Sequence, residues 1–286
     1  MAAPNPVTTF LYFKWEPLHE REKPYVIYMD VPDGVPSRNF TLEPGPPETV
    51  HDIRPHVDDF TLDRHGFEIR RQPLGIDDFS PQAVESKYLP TLETLLREAL
   101  GAECRIVWFD WRLRSGNKSK TDLPAGTKVE LEDRLVYLTP VRAAHVDQSR
   151  QAAVQRVYHH MGADAEALLK KRVRIINLWR PIRGPVESYP LAYCDGSTVP
   201  PDRLVSMDVV RSTYVGESYN LLPHEGYRWH YLSGQTRDEV VLMKMYDSSE
   251  DVEAWCCPHA SFPGDEGPTA AMRESIEARA LVFTES

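Results

Sequence analysis

The 286-residue sequence contains no apolar run near the ~20 residues that a membrane-spanning helix needs. Its first residues, MAAPNPVTTF, lack the basic and apolar regions of a secretion signal. No lysine- and arginine-rich stretch interleaves with aromatics, and a formal charge of −10 repels phosphate backbones, so nucleic acid is excluded as a partner. Cysteine is scarce: Cys104, Cys194, Cys256 and Cys257 show no paired-knuckle spacing, and the adjacent pair is poorly placed for an ordinary disulfide. Reduced thiols are therefore expected and structural zinc is not. Repeats and low-complexity tracts are absent as well. These absences together point to a soluble, cytoplasmic protein with no membrane partner.

What is present is proline, 24 residues of it, with hydrophobic residues at 41% and charged residues at 27%, a globular composition cut by many turns. Residues 8–28 alternate aromatic and polar side chains, the period of a half-buried strand. A stretch dense in Pro and Gly follows and reads as an extended loop leading to a short strand pair around FTLDRHGFEIRRQ. SPQAVESKYLPTLETLLREAL then places apolar residues at helical spacing between a Ser-Pro start and Gly101, with Pro90 marking a break or kink. Two strand-like segments, ECRIVWFDWRL and RLVYLTPVRAAHVDQS, flank the polar loop SGNKSKTDLPAGTK. A second helical region covers 150–171, interrupted near Gly162. After it come RVRIINLWRP, LAYCDG, RLVSMDVV, SYNLLP, RWHYLSG, EVVLMKMYD and SIEARALVF, all strand-like and parted by turn residues. Many short strands without βα alternation predict a mainly β protein with helical additions on a double-stranded β-helix core, the jelly-roll or cupin-like architecture. A single domain is expected over 1–286. Residues 1–100 supply N-terminal strands and a helix packing on the core, and residues 101–286 supply the jelly roll, with a helical insertion at 150–171. Exposed aromatic strands near the N-terminus point to a homodimer.

The sharpest chemical feature is His145-Val146-Asp147. In extended chain, residues two apart face the same way, so the imidazole and the carboxylate converge. One further ligand completes a two-histidine, one-carboxylate face that suits Fe(II) and keeps three coordination positions open. His259, in CCPHASF, is the candidate, since it follows several strands and precedes the final one. His230 in RWHYLSG competes but has more strands still to come and lies in an aromatic strand. His159, His160 and His224 read as helix-surface or loop residues, and His19, His51, His56 and His65 precede the predicted core.

Behind His259, Arg273 and Ser275 alternate onto one face of the closing strand, where a guanidinium and a hydroxyl can hold a carboxylate. Arg279 is the alternative anchor, and surface ion pairs with Glu274 or Glu277 are the plain reading of both arginines. Asn177 and Trp179 share a strand face, offering an amide and an indole wall, and Tyr137, Trp229 and Tyr231 are further candidates for an aromatic lining that restricts water. For each aromatic, packing in the core is the competing role.

At HVDQS, INLWRPI, RWHYLSG, DEVVLMKMYDS, PHASF and RESIEARALVF the sequence resembles the CmcJ/AsaB-like hydroxylase/desaturase family of fungal and bacterial secondary metabolism, from about residue 59 onward. That resemblance implies an Fe(II)- and 2-oxoglutarate-dependent dioxygenase that, with O₂, oxidises a small natural-product or amino-acid-derived intermediate and releases succinate and CO₂. It implies His145, Asp147 and His259 as iron ligands and Arg273, in its Arg-x-Ser setting, as the co-substrate anchor. The gap from His259 to Arg273 is longer than usual there, which keeps Arg279 in play. A cupin-like iron enzyme that uses no 2-oxo acid, and a non-catalytic β-sandwich binding module, are the other readings of the same strands.

Overall fold

The computed structural model describes residues 5–117, 134, 136–264, 267 and 270–285. Its early strands are β1 (Val7–Thr8), β2 (Leu11–Phe13), β3 (Tyr25–Ile27), β4 (Leu42–Pro44), β5 (Glu48–Asp52), β6 (Phe67–Arg71), β7 (Arg105–Ser115) and β8 (His145–Val146). The later ones are β9 (Arg172–Pro181), β10 (Leu191–Cys194), β11 (Leu204–Val210), β12 (Val215–Leu221), β13 (Trp229–Tyr231), β14 (Glu239–Asp247), β15 (His259–Ser261) and β16 (Glu274–Thr284).

Among the described residues these strands form a nine-stranded sheet, ordered β1-β5-β13-β10-β15-β8-β12-β11-β3, a five-stranded sheet, ordered β6-β14-β9-β16-β7, and a small β2-β4 pair. Strands adjacent in space are mostly distant in sequence, as in a jelly roll. The main hydrophobic cluster joins Tyr193 and Ala260 of the larger sheet to Ile175, Met243 and Leu281 of the smaller. On its other face the smaller sheet packs Leu178, Leu242, Ile276 and Ala278 against Leu92, Leu95 and Leu96 of the helix Leu89–Leu100. Both faces are covered, so β9, β14 and β16 are buried almost end to end, including charged side chains such as Lys244, Glu277 and Arg279.

The predicted helix after Ser80 is continuous but irregular. Ser80 caps Pro81–Ala83, Val84–Tyr88 takes π-helical turns, and Pro90 sits in the first turn of Leu89–Leu100. The wider turns accommodate a ring that would clash in a regular α-helix. The second helical region is Arg150–Met161, a 3-10 turn at Gly162–Asp164, then Ala165–Leu168, with Ser149 accepting from the Ala152 amide as its cap.

Two readings of local structure need correction. FTLDRHGFEIRRQ holds one strand, not two, because Thr61 caps the helical turn Leu62–His65 and Gly66, at φ 83°, ends it in the left-handed region. The Pro- and Gly-rich stretch before it is not all loop, since β4 and β5 lie within it and β5 pairs with both β1 and β13. The segment 136–149 is strand only at β8, apart from isolated bridges at Leu138 and Ala143. Most of the polar loop SGNKSKTDLPAGTK lies outside the described residues. Strands β1, β3, β5 and β6, all from the first 100 residues, are hydrogen-bonded members of the two large sheets. No helix among the described residues is long and apolar enough to cross a membrane.

Candidate metal centre

β8 lies between β15 and β12 in the larger sheet, and His145 is the direct cross-strand partner of His259 on one side and of Asn220 on the other. Cross-strand partners share a face, so both imidazoles point to the interior, with ring centroids 4.4 Å apart. Asp147 follows on the same face, its Oδ1 3.5 Å from His145 Nε2. Ligand atoms of His145, Asp147 and His259 all lie within 4.8 Å of one another, a grouping that an ion with bonds near ~2 Å draws together.

The surroundings prepare each ligand. His145 Nδ1 is 2.8 Å from the Ala143 carbonyl and His259 Nδ1 is 3.3 Å from the Cys257 carbonyl. A carbonyl only accepts, so each Nδ1 carries the proton and each Nε2 keeps its lone pair. Burial, reinforced by the neighbouring His145, pushes His259 down to about 4, so it is neutral and able to ligate at ordinary pH. For Asp147 burial works the other way. Arg279 and the two histidines outweigh it and hold the carboxyl well below the usual range.

Asp147 Oδ2 accepts from Asn177 Nδ2 at 2.6 Å and pairs with Arg279 Nη2 at 3.0 Å, leaving Oδ1 turned toward the histidines. Arg279 also donates to Glu277 at 2.9 and 2.6 Å and to Asp110 at 3.3 Å. Burial alone would lower this guanidinium, but the three carboxylates raise it above its ordinary value. Arg279 and Asn177 are therefore engaged with the Asp147 carboxylate rather than open to a co-substrate.

Arg273 has a different environment. Its Nη1 donates to Ser261 Oγ at 2.8 Å and to the Tyr189 carbonyl at 2.5 Å, and its guanidinium lies 5.4 Å from the centre of the Trp179 ring. Ser261 stands two residues from His259 on the same face of β15, ~7 Å along the strand. Arg273 Nε and Ser275 Oγ are buried and have no hydrogen-bond partner among the described residues. Burial and the charge of Arg114 bring Arg273 down to about 9.

The remaining sequence candidates separate. Cross-strand pairing runs His145, His259, Tyr193, His230 along one face. His230 thus faces inward but lies two strands from His259, ~10 Å away, too far to join the same ion. Trp229 and Tyr231 alternate to the opposite face, where Trp229 packs on Phe10 and Tyr231 on Phe262. Tyr137 packs on the outer cluster and lines another cavity, with Phe79 and Arg183. None of these three aromatics borders the cavity that opens on the triad.

That cavity, of about 620 Å³, contains His145, Asp147 and Arg279 in its wall and extends over Ser218, Met207, Val209 and Val26 of β12, β11 and β3. Helix Arg150–Met161 adds Arg156, His159 and His160. Sequence reasoning left the two histidines on the helix surface or in loops and did not single out Arg156. The signal available was their i, i+3, i+4 spacing, which puts all three on one side.

The Oxidoreductase/YMDC permease-like domain model matches residues 10–283. The hydroxylase/desaturase efuI of Hormonema carpetanum is 33% identical over 255 residues, 84% of each chain. The Fe(II)/2-oxoglutarate-dependent dioxygenase nvfI of Aspergillus novofumigatus is 33% identical over 247 residues, 82% of this chain and 81% of that one. A solved structure of the iron and alpha-ketoglutarate-dependent endoperoxidase NvfI superposes with a TM-score of 0.82 at 29% identity, covering 100% of both chains. The chain belongs to the Fe(II)/2-oxoglutarate-dependent hydroxylase/desaturase family. An enzyme of this family needs Fe(II), 2-oxoglutarate and O₂, and the residues present fit that requirement. Two imidazoles and one carboxylate oxygen converge, and a buried guanidinium and hydroxyl with atoms unpaired among the described residues lie nearby.

Proposed function

We propose that His145, Asp147 and His259 hold the iron and that Arg273 with Ser275 grips the distal carboxylate of 2-oxoglutarate. The enzyme then oxidises a C–H bond of a small natural product, with hydroxylation, desaturation or oxidative ring closure as the outcome. The observation that carries this reading is the pair of unpaired buried atoms, Arg273 Nε and Ser275 Oγ. A buried donor without a partner is costly to retain, and a carboxylate oxygen satisfies both. The position fits a short diacid, because Arg273 is fastened to Ser261, two residues from His259.

Bound iron with 2-oxoglutarate and O₂ supplies the oxidising equivalent and yields succinate and CO₂. The protein's residues do the positioning. Asn177 and Arg279 occupy Asp147 Oδ2, so the carboxylate offers a single oxygen and coordination positions stay open. Trp179, 1% exposed, closes the interior beside Arg273 and keeps water from the reacting centre.

Release of succinate dependent on Fe(II) and 2-oxoglutarate, from a panel of terpenoid, polyketide and amino-acid-derived candidates, tests the function. Turnover that ignores 2-oxoglutarate overturns it. Four buried thiols without disulfides support a reducing compartment, the cytoplasm. Exposed Tyr28, Met29 and Val215 beside edge strand β3 support a homodimer, which light scattering in solution tests.

A further inference from the structure

The protein carries a formal charge of −10, yet the wall of the triad cavity contains seven arginines against three carboxylates. Those carboxylates are engaged. Asp147 and Asp110 pair with Arg279, Asp110 also with Arg112, and Glu217 with Lys23. Arg156 and Arg211 have no carboxylate partner among the described residues. The only side-chain hydrogen bond of Arg156 there is from Nε to Gln148 Oε1 at 3.0 Å, and its guanidinium rests over the rings of Phe109 (4.3 Å) and Tyr214 (5.1 Å). Three further hydrogen-bonding atoms in the wall are buried and unpaired among the described residues: Arg112 Nη1, Tyr214 Oη and His160 Nε2. Arg112 is only 6% exposed. Burial, aided by repulsion from Arg279 and Arg211, pushes both Arg112 and Arg156 below the ordinary guanidinium value although Asp110 opposes the shift, as expected of positive charge only partly balanced by the described residues.

This charge is separate from the co-substrate anchor. Arg273 is fastened to Ser261 of β15 and to the Tyr189 carbonyl just before β10, on one side of β8. Arg211 and Tyr214 lie between β11 and β12, on the other side, where the cavity is floored by Val26, Phe40, Met207 and Val209. The triad stands between the two regions. Beyond it, therefore, is a compartment with an apolar floor and a cationic, hydrogen-bond-hungry end.

We propose that the substrate is an apolar molecule bearing an oxyanion, a carboxylate or a sulfate or phosphate ester, held by Arg156 and Arg211 with the Tyr214 hydroxyl while its hydrocarbon body lies over Val26, Phe40 and Met207. The proposal rests on the 2-oxoglutarate oxygenase reading and adds the substrate class to it. Guanidinium groups hold oxyanions through paired N–H donors, and the desolvated setting strengthens the contact. An uncharged analogue of the same shape would leave those donors unpaired, which is the strongest basis for rejection that a pocket has.

The test is isothermal titration of the anaerobic Fe(II)·2-oxoglutarate holoenzyme, whose co-substrate site is already filled. The probes are decanoate, 2-naphthoate, decyl sulfate and decyl phosphate, each beside its amide or alcohol. At least one anion should bind about tenfold or more tighter than its neutral partner, and the preferred head group separates carboxylate from ester. Arg211→Gln and Arg156→Gln should each abolish that preference while the visible charge-transfer band of the holoenzyme persists. Arg211→Lys should retain part of it. Arg237→Gln, which removes a cation from the other cavity, should change nothing. Equal binding of anion and neutral partner across the set, or a preference that survives both Gln variants, overturns the proposal. Failure of the holoenzyme band to form in the wild-type protein overturns instead the oxygenase reading beneath it.

Discussion

Asp147 offers the candidate iron one oxygen because its other oxygen is already occupied by Asn177 and Arg279. Removing that restraint lets the carboxylate rotate without deleting a ligand. Arg279→Gln should weaken Fe(II) binding by about 10–100-fold, the usual effect of losing a ligand's supporting partner, measured by anaerobic titration. Arg273→Ala should instead leave iron binding intact and raise the KM for 2-oxoglutarate by tenfold or more, about 1.4 kcal/mol upward. Sequence alone could not separate these two arginines, which a two-residue alternation puts on the same face. Their roles follow from what sits opposite, since β16 pairs Arg279 with Asp110 on β7 and with Asn177 on β9. The triad was easier to find, because a two-residue spacing on a strand states its own geometry. His230 carries a pH prediction outside the triad. Burial lowers it from 6.5 to about 4, with His51 and His65 adding to the effect. The unfolded chain therefore binds more protons between those values, so stability is complete above about pH 6.5 and is lost as pH falls toward 4. The melting temperature of metal-free protein should fall between pH 7 and 5, and His230→Gln should reduce that slope without removing it, since burial lowers His160 and His259 to about 4 as well.

At the level of elements, β14 shows what burial demands. Lys244 is 0% exposed and Asp247 1%, and together with Asp63 and Arg172 they form a network that ties the turn Leu62–His65 to the smaller sheet. Lys244→Ala leaves Asp247 with one cation fewer in a buried site and should cost about 3–5 kcal/mol, read from chemical denaturation. The late strands were legible because Val, Ile and aromatic runs are bounded by Pro, Gly, Asp and Ser. The turn at 62–65 was misread as strand although Thr61 and Gly66 are cap residues in the right places. β4 and β5 were missed because their partners are remote in sequence, and no local pattern announces a remote partner. The same limit explains Trp229 and Tyr231. Their strand was correctly found, but which face its neighbours turn inward is a property of the sheet.

For the whole molecule, the two sheets act as one clamp on whatever occupies the space between them. Ligands that bind only the folded state stabilise it in proportion to saturation. Fe(II) and 2-oxoglutarate together, at ~100 times their dissociation constants, should each add about 2.7 kcal/mol. Melting temperature should rise accordingly, and a chelator should reverse the rise. The jelly-roll class could be anticipated from the number of strands and the lack of βα alternation, but the split into a larger sheet carrying the triad and a smaller one carrying its supports could not.

β16 bears Ser275, Glu277 and Arg279, follows directly on Arg273, and is seated between β9 and β7 rather than at an edge. Arg279, which pairs with Asp147, is thus held on a central strand, with Asn177 beside it on β9 and Asp110 on β7. Withdrawing β16 would open the smaller sheet in its middle and take the guanidinium away from Asp147 in the same event. Local fraying cannot therefore loosen that carboxylate by degrees, since its support is kept or lost together with the sheet.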